Sequence, residues 1–348
     1  MTTEDRRGGW LLPAALLLVA PPLGVVAAVR RGWHFPDRVE PVAVVSDPTA
    51  PLLPRGAPVR ALVWNIQYCG SRRHHFFYDG GRQVHVPPGD MAATLAEVAR
   101  VIRAADPDLV LLQEVDRGSD RTGRVDEHAE LLRQTGYPCH ASAPYHRAAW
   151  VPHPTHQPMG RVDMHLSVFS RHPIASAQRV QLALLQEPWW RRMFNLKRAV
   201  LEVRLPVEGG GELAVLNTHL SAFSHGDGTL QRQVATLLGR ATGERLFLLA
   251  GDMNALPPGD DARRLGEAAV EYPEATSPVA PLFRRLRAFS PAAPDPAWRS
   301  YLPFGATEPD RQIDYVFCGQ EVQPGAAQVL QERSISDHLP ILVTFIIR

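Results

Sequence analysis

Five times along this chain a short run of apolar, largely β-branched or aromatic residues ends in an amide, a carboxylate or an imidazole. The runs at 59–66, 109–112, 213–216, 246–250 and 313–317 read as strands, and 91–105, 125–136 and 231–241 carry helical spacing. Apolar strands alternating with a few helices over some 290 residues predict an α/β (α+β layered) domain. Polar residues that recur at strand ends are then gathered along one edge of the layers, where one cleft can hold them.

Two C-terminal stretches show what such a cleft would do. Asp314 lies inside the apolar run 313–317, and an ionised carboxylate there is costly unless it is paired. Ser336-Asp337-His338-Leu339-Pro340 precedes the apolar run 341–345 and reads as a loop that delivers an imidazole and a carboxylate before a buried strand. If Asp314 accepts a proton from one ring nitrogen of His338, it fixes the tautomer and leaves the other nitrogen free as a general base. Asp337, pointing the other way, is then available to a metal. The competing expectation is that Asp314 caps a turn and His338 is a satisfied core histidine.

The remaining strand ends offer Asn65, Glu114, Asn217-Thr218-His219 and Asp252-Met253-Asn254. Carboxylates and amides with hardly a lysine or serine among them match hard oxygen ligation of Mg²⁺ or Mn²⁺, not a thiolate or three-histidine zinc site. Amides beside carboxylates suit an anionic phosphoryl oxygen, and the two histidines allow one base and one donor.

In order, Trp64-Asn65-Ile66-Gln67, Gln113-Glu114-Val115, Asn217-Thr218-His219-Leu220, Gly251-Asp252-Met253-Asn254, Ile313-Asp314-Tyr315 and the 336–340 stretch resemble the motifs of the endonuclease/exonuclease/phosphatase superfamily. The resemblance spans residues 59–348 and implies a four-layer α/β/β/α sandwich with its active site at strand ends. It implies Glu114 as the main metal carboxylate, with Asn65 and Asp337 helping to hold the ion. It implies Asp252 positioning or deprotonating the attacking water and Asn254 orienting it or binding phosphate. His219 would donate to a phosphoryl oxygen or the leaving group, and His338, oriented by Asp314, would act as general base or phosphate contact. The sequence departs from the family where a Gly-Asn pair usually precedes a strand: Asp163, Met164 and His165 stand there instead. Asn195 and Lys197 either supply phosphate contacts in compensation or merely flank a strand.

Substrate and location rest on other features. Formal net charge is +1, from 37 basic and 36 acidic residues, which gives no broad basic footprint for nucleic acid. Residues 10–29 are uncharged and rich in Leu, Ala and Val, the length of a membrane span, with arginine pairs on both sides. Residues 1–31 therefore read as a membrane anchor or signal segment and 32–58, rich in Pro, as an extended linker. The expected enzyme is a monomer, anchored or exported, with its catalytic domain outside the cytoplasm. Trp189-Trp190 beside Arg191-Arg192 has the composition of an interfacial contact, although the pair equally suits the core of a long loop. A lipid or headgroup phosphoester is the favoured substrate, a nucleic acid the second reading, and a non-catalytic binding module the third.

Overall fold

The computed structural model describes residues 33, 36–222 and 226–348. Fourteen strands form two sheets: β1 (Val39–Pro41), β2 (Val44–Val45), β3 (Pro58–Asn65), β4 (Leu109–Asp116), β5 (Cys139–Val151), β6 (Gly160–Ser170), β7 (Ser176–Gln181), β8 (Ala199–Pro206), β9 (Glu212–His219), β10 (Phe247–Asp252), β11 (Arg287–Ala288), β12 (Asp314–Cys318), β13 (Val322–Val329) and β14 (Ile341–Ile347). One sheet has the order β1-β7-β8-β9-β10-β12-β11 and the other β13-β14-β3-β4-β6-β5-β2. Only β9 with β10 and β3 with β4 pair in parallel; the other neighbours are antiparallel.

Both sheets are covered on both faces, which is why their central strands read as nearly unbroken apolar runs. In β3, Ala61 and Val63 face the other sheet in the central core, while Leu62 and Trp64 face outward. That outer face packs under α1 (Pro88–Ala105) and α2 (Glu127–Thr135), and the outer face of the β8-β9-β10 sheet packs under α4 (Thr229–Thr242) and α5 (Ala280–Arg285). The one-turn α3 (Trp189–Arg192) lies between, outside the layers. The four-layer α/β/β/α sandwich expected from the motif series is the architecture observed.

The Pro-rich stretch does not hang free as the linker expectation had it. Val39 pairs with Val180 and Val44 with Ala141, so β1 and β2 each add an edge strand, one to each sheet. Leu53 follows them into the core between the sheets, fully buried, and its N–H donates to Pro206. Strands of two and three residues beside Pro41 carry no readable period. β5 was likewise unexpected: its thirteen residues, with Ala, His, Ser, Pro and Arg interspersed, largely alternate buried and half-buried without an apolar run. The three cysteines are buried and free. The apolar segment 10–29 lies outside the described residues, and among those described no helix is long and apolar enough to cross a membrane.

Candidate active site

Register, not sequence proximity, assembles the site. His219 ends β9, Asp252 ends β10 and Asp314 opens β12; the parallel and antiparallel ladders place these three as direct neighbours across adjacent strands. On the facing sheet Asn65 ends β3. Next to it β4 slips register against β6 between Leu112 and Val115, and Glu114 within the slip has φ 56°. A bulge of this kind re-aims a side chain, and here it turns Glu114 into the cleft while Gln113 stays between the sheets. Gln113 Nε2 donates to Asn217 Oδ1 at 2.7 Å, and Asn217 Nδ2 donates to the carbonyls of Leu112 and Ser167 at 2.9 and 3.0 Å. This buried amide clamp ties the two sheets together directly beneath the site.

Asp252 is the hub. Its Oδ2 accepts from Asn65 Nδ2 at 3.1 Å, lies 3.2 Å from His219 Nε2 and 3.5 Å from His338 Nε2. Its Oδ1 accepts from the backbone N–H of Asn254 at 3.0 Å. Asn254 stands at φ 46° and its amide donates to Leu220 O. His338 Nδ1 lies 2.8 Å from Asp314 Oδ2, the pairing expected from the sequence, and Ser300 Oγ donates to that same oxygen at 2.6 Å. Asp314 is therefore no turn cap. Its other oxygen, Oδ1, is buried without a partner.

Charge follows this geometry. Burial pushes the Asp252 carboxyl up from its ordinary range, with Asp314 adding to the effect and the His338 cation opposing it. Burial alone would lower His338, but the Asp314 and Asp252 carboxylates outweigh it and hold the ring on the protonated side. His219 moves the other way, far below its ordinary value, by burial and by the nearby Arg198 and His338 cations. Neutral His219 then accepts from Tyr145 Oη, 3.2 Å from Nδ1, and keeps its proton on Nε2 toward Asp252.

A cation has a place among these groups. Glu114 and Asp337 both line the cleft, and desolvation together with the neighbouring Glu114 charge lifts Asp337 to about 6, with His338 opposing. Two adjacent carboxylates that repel each other fit a hard divalent ion. Asp252, Asp314 and His338 also bring potential ligand atoms within 4.8 Å of one another. The 2.8 Å contact of His338 Nδ1 with Asp314 is a hydrogen bond, however, so that nitrogen has no lone pair for a metal. Asn65 sits between two of the carboxylates. Its amide oxygen accepts from Gln67 N at 3.0 Å while its nitrogen reaches Glu114 Oε1 at 3.2 Å, so here it spaces the two carboxylates apart.

Above this polar floor the cleft opens to about 750 Å³. Its lining includes the apolar side chains of Phe77, Val151, Pro152, Met159, Met164, Trp190, Phe194 and Leu196. Met164 lines the cleft at the family's departure point, while Asp163 and His165 pair with each other at 2.8 Å. Asn195 lines the cleft, its amide held by Glu187. Lys197 does not serve as the phosphate contact considered for it: it is buried away from the cleft lining, its Nζ within 3.4 Å of the Met193 and Asn195 carbonyls. The next residue, Arg198, lines the cleft instead. Its Cζ is 5.2 Å from the Tyr145 ring, and its Nη1 is buried with no partner. A second cleft cation, Arg121, is fixed by Asp116 at 2.8 and 3.0 Å and lies over the Tyr68 ring. Trp189 and Trp190 are 75% and 50% exposed, so they are not core residues. Tyr145, Arg198, Ser300 and Arg121 were not anticipated; each sits in a strand or irregular stretch without a distinguishing pattern.

The comparisons agree with this geometry. Residues 62–338 match the model of the Endonuclease/Exonuclease/phosphatase family. A sequence comparison with curated proteins returns no match. Among solved structures, an endonuclease/exonuclease/phosphatase from Beutenbergia cavernae is 26% identical, with a TM-score of 0.62 over 83% of this chain and 72% of that one. The human Nocturnin catalytic domain (17% identity, TM-score 0.54, 88% and 97% covered) and a Bacteroides vulgatus protein (15%, 0.53, 84% and 100%) share the fold. The chain belongs to the endonuclease/exonuclease/phosphatase family, whose members hydrolyse phosphoric esters with the help of a divalent metal ion.

Proposed function

We propose that this enzyme hydrolyses a phosphoester carrying an apolar group, of the kind found in lipids, with Mg²⁺ or Mn²⁺ as its cation. The observation that carries the reading is that one cleft is lined both by apolar side chains, Met164, Trp190 and Phe194 among them, and by Asp252 and His338. Such a lining removes an acyl or aryl group from water at about 25 cal/mol per Å² while the phosphate meets the polar groups. Backbone tracking of a nucleic acid would instead call for a line of exposed cations.

Glu114 and Asp337 would hold the ion, which when bound neutralises charge on the phosphoryl group. Asp252, raised toward neutrality, accepts the proton of the attacking water, and Asn254 helps fix that water's position. His338 is better suited to a phosphoryl oxygen or the leaving group than to the base role first expected, because Asp314 and Asp252 hold it protonated. Neutral His219 and the unpaired Arg198 Nη1 complete the donors around the phosphorus.

The test is a panel of an alkyl phosphodiester below its micellar concentration, a soluble chromogenic phosphodiester, inositol phosphates and plasmid DNA, each with Mg²⁺, Mn²⁺ or chelator. The highest kcat/KM is expected on the alkyl ester, with activity lost on chelation. Preference for DNA or inositol phosphates would overturn the substrate reading, and full activity after chelation the metal reading.

A further inference from the structure

We propose that Trp150, Trp189 and Trp190 form a bilayer-docking rim that turns the mouth of the cleft toward a lipid headgroup layer. The three indoles are 51%, 75% and 50% exposed, the three exposed tryptophans among the described residues. Trp190 lines the cleft, Trp189 adjoins it in α3, and Trp150 stands in β5 directly before Val151 and Pro152, which also line the cleft. Arg191 and Arg192 are exposed beside them, Arg191 with its guanidinium 5.1 Å from the Trp190 ring. Indoles with adjacent guanidinium groups suit the headgroup region, rings at the apolar boundary and cations on lipid phosphate.

The occupant follows from where the described chain begins. Trp33 meets Phe194 edge to face, ring centroids 6.3 Å apart, and Phe194 lines the cleft next to Trp190. Upstream, only Arg30, Arg31 and Gly32 separate Trp33 from the uncharged run that ends at Val29. Four residue steps span at most about 14 Å. A bilayer that takes up residues 10–29 would therefore lie within about 14 Å of Trp33, which itself touches the cleft-lining Phe194. A second copy of the chain or a peptide gives no reason for an apolar run to lead to this point.

The docking geometry stands on the rim and on Trp33; it draws on the substrate reading above only in supposing that the ester comes from the same layer. The full-length protein is reconstituted in phosphatidylcholine/phosphatidylglycerol vesicles with a nitroxide at Trp189→Cys or, as control, at Glu208→Cys in the exposed β8–β9 turn at the far end of the sheet. The native cysteines are buried and do not compete for label. The label at 189 is expected to lose collisions with an aqueous nickel chelate and gain them with membrane oxygen, while the label at 208 stays aqueous. Equal aqueous exposure at both sites, or spin coupling between labels at 189 that reports a second copy, overturns the proposal. Trp150→Ser/Trp189→Ser, neither of which lines the cleft, is expected to reduce turnover of a vesicle-borne ester about tenfold and leave the soluble ester unchanged. Parallel loss on both substrates, or loss on neither, also overturns it. A rim found at headgroup depth in an enzyme that spares apolar esters would sink the substrate reading alone. An aqueous rim in an enzyme that cleaves them would sink docking alone.

Discussion

Lys197 and Arg198 are neighbours in sequence and diverge in space, and the difference decides which cation faces the cleft. In extended chain, successive side chains point to opposite faces, so a one-residue error of parity moves a cation from the cleft to the interior. Nothing in Asn195-Leu196-Lys197-Arg198 reveals that parity. The carboxylates, amides and histidines of the floor were legible because few residue types perform their chemistry and because each ends an apolar run. Replacing Arg198 by Ala is expected to lower kcat on the soluble phosphodiester by about 10²-fold, the range for losing one preorganised donor. Lys197→Met, which keeps the apolar stem, should leave kcat unchanged. Equal losses in the two variants would remove Arg198 from the phosphate site.

At the scale of elements, the strands that were legible are those buried on both faces, whose composition announces them: β3, β4, β9, β10 and β12. The elements missed are edges and long alternating strands. Six of the thirteen β5 residues are half-buried or exposed, so its sequence resembles loop, yet it carries Tyr145 into the site and holds the exposed Trp150. Likewise β4 announces Glu114 but not the bulge that aims it. The Pro-rich stretch separates two descriptions most sharply, because a free tether contributes nothing to stability while an edge strand followed by a buried leucine does. Leu53→Ala is expected to destabilise the fold by about 2–5 kcal/mol, as for other fully buried leucines, seen as a lower urea midpoint at unchanged m-value. An unchanged midpoint would return residues 36–58 to the role of linker.

Over the whole molecule, buried histidines contribute to how the fold responds to acid. His128, between Ser167 Oγ at 2.9 Å and His140 Nδ1 at 3.0 Å, is lowered to about 2, chiefly by burial and then by Arg117. His146, whose Nε2 donates to Phe194 O at 2.8 Å, is lowered to about 3, again chiefly by burial. Both remain neutral in the folded chain at pH values where an unfolded histidine, with a pKa of about 6.5, takes up a proton. The unfolded state thus binds more protons below about pH 6.5, and stability falls as the pH drops from there toward the folded values. His338 has the opposite sign: raised in the fold, its contribution is complete below about pH 6.5 and is lost as the pH rises through its folded pKa of about 10. Between pH 6 and 4 each of these two depressed histidines therefore contributes about 1.4 kcal/mol per pH unit to the slope. His128→Gln should make the dependence of unfolding free energy on pH shallower by about one such contribution, whatever it does to stability at neutral pH. Denaturant titrations at pH 6, 5 and 4 measure that slope directly, and a slope equal to that of the unaltered protein would mean that His128 is already protonated in the fold.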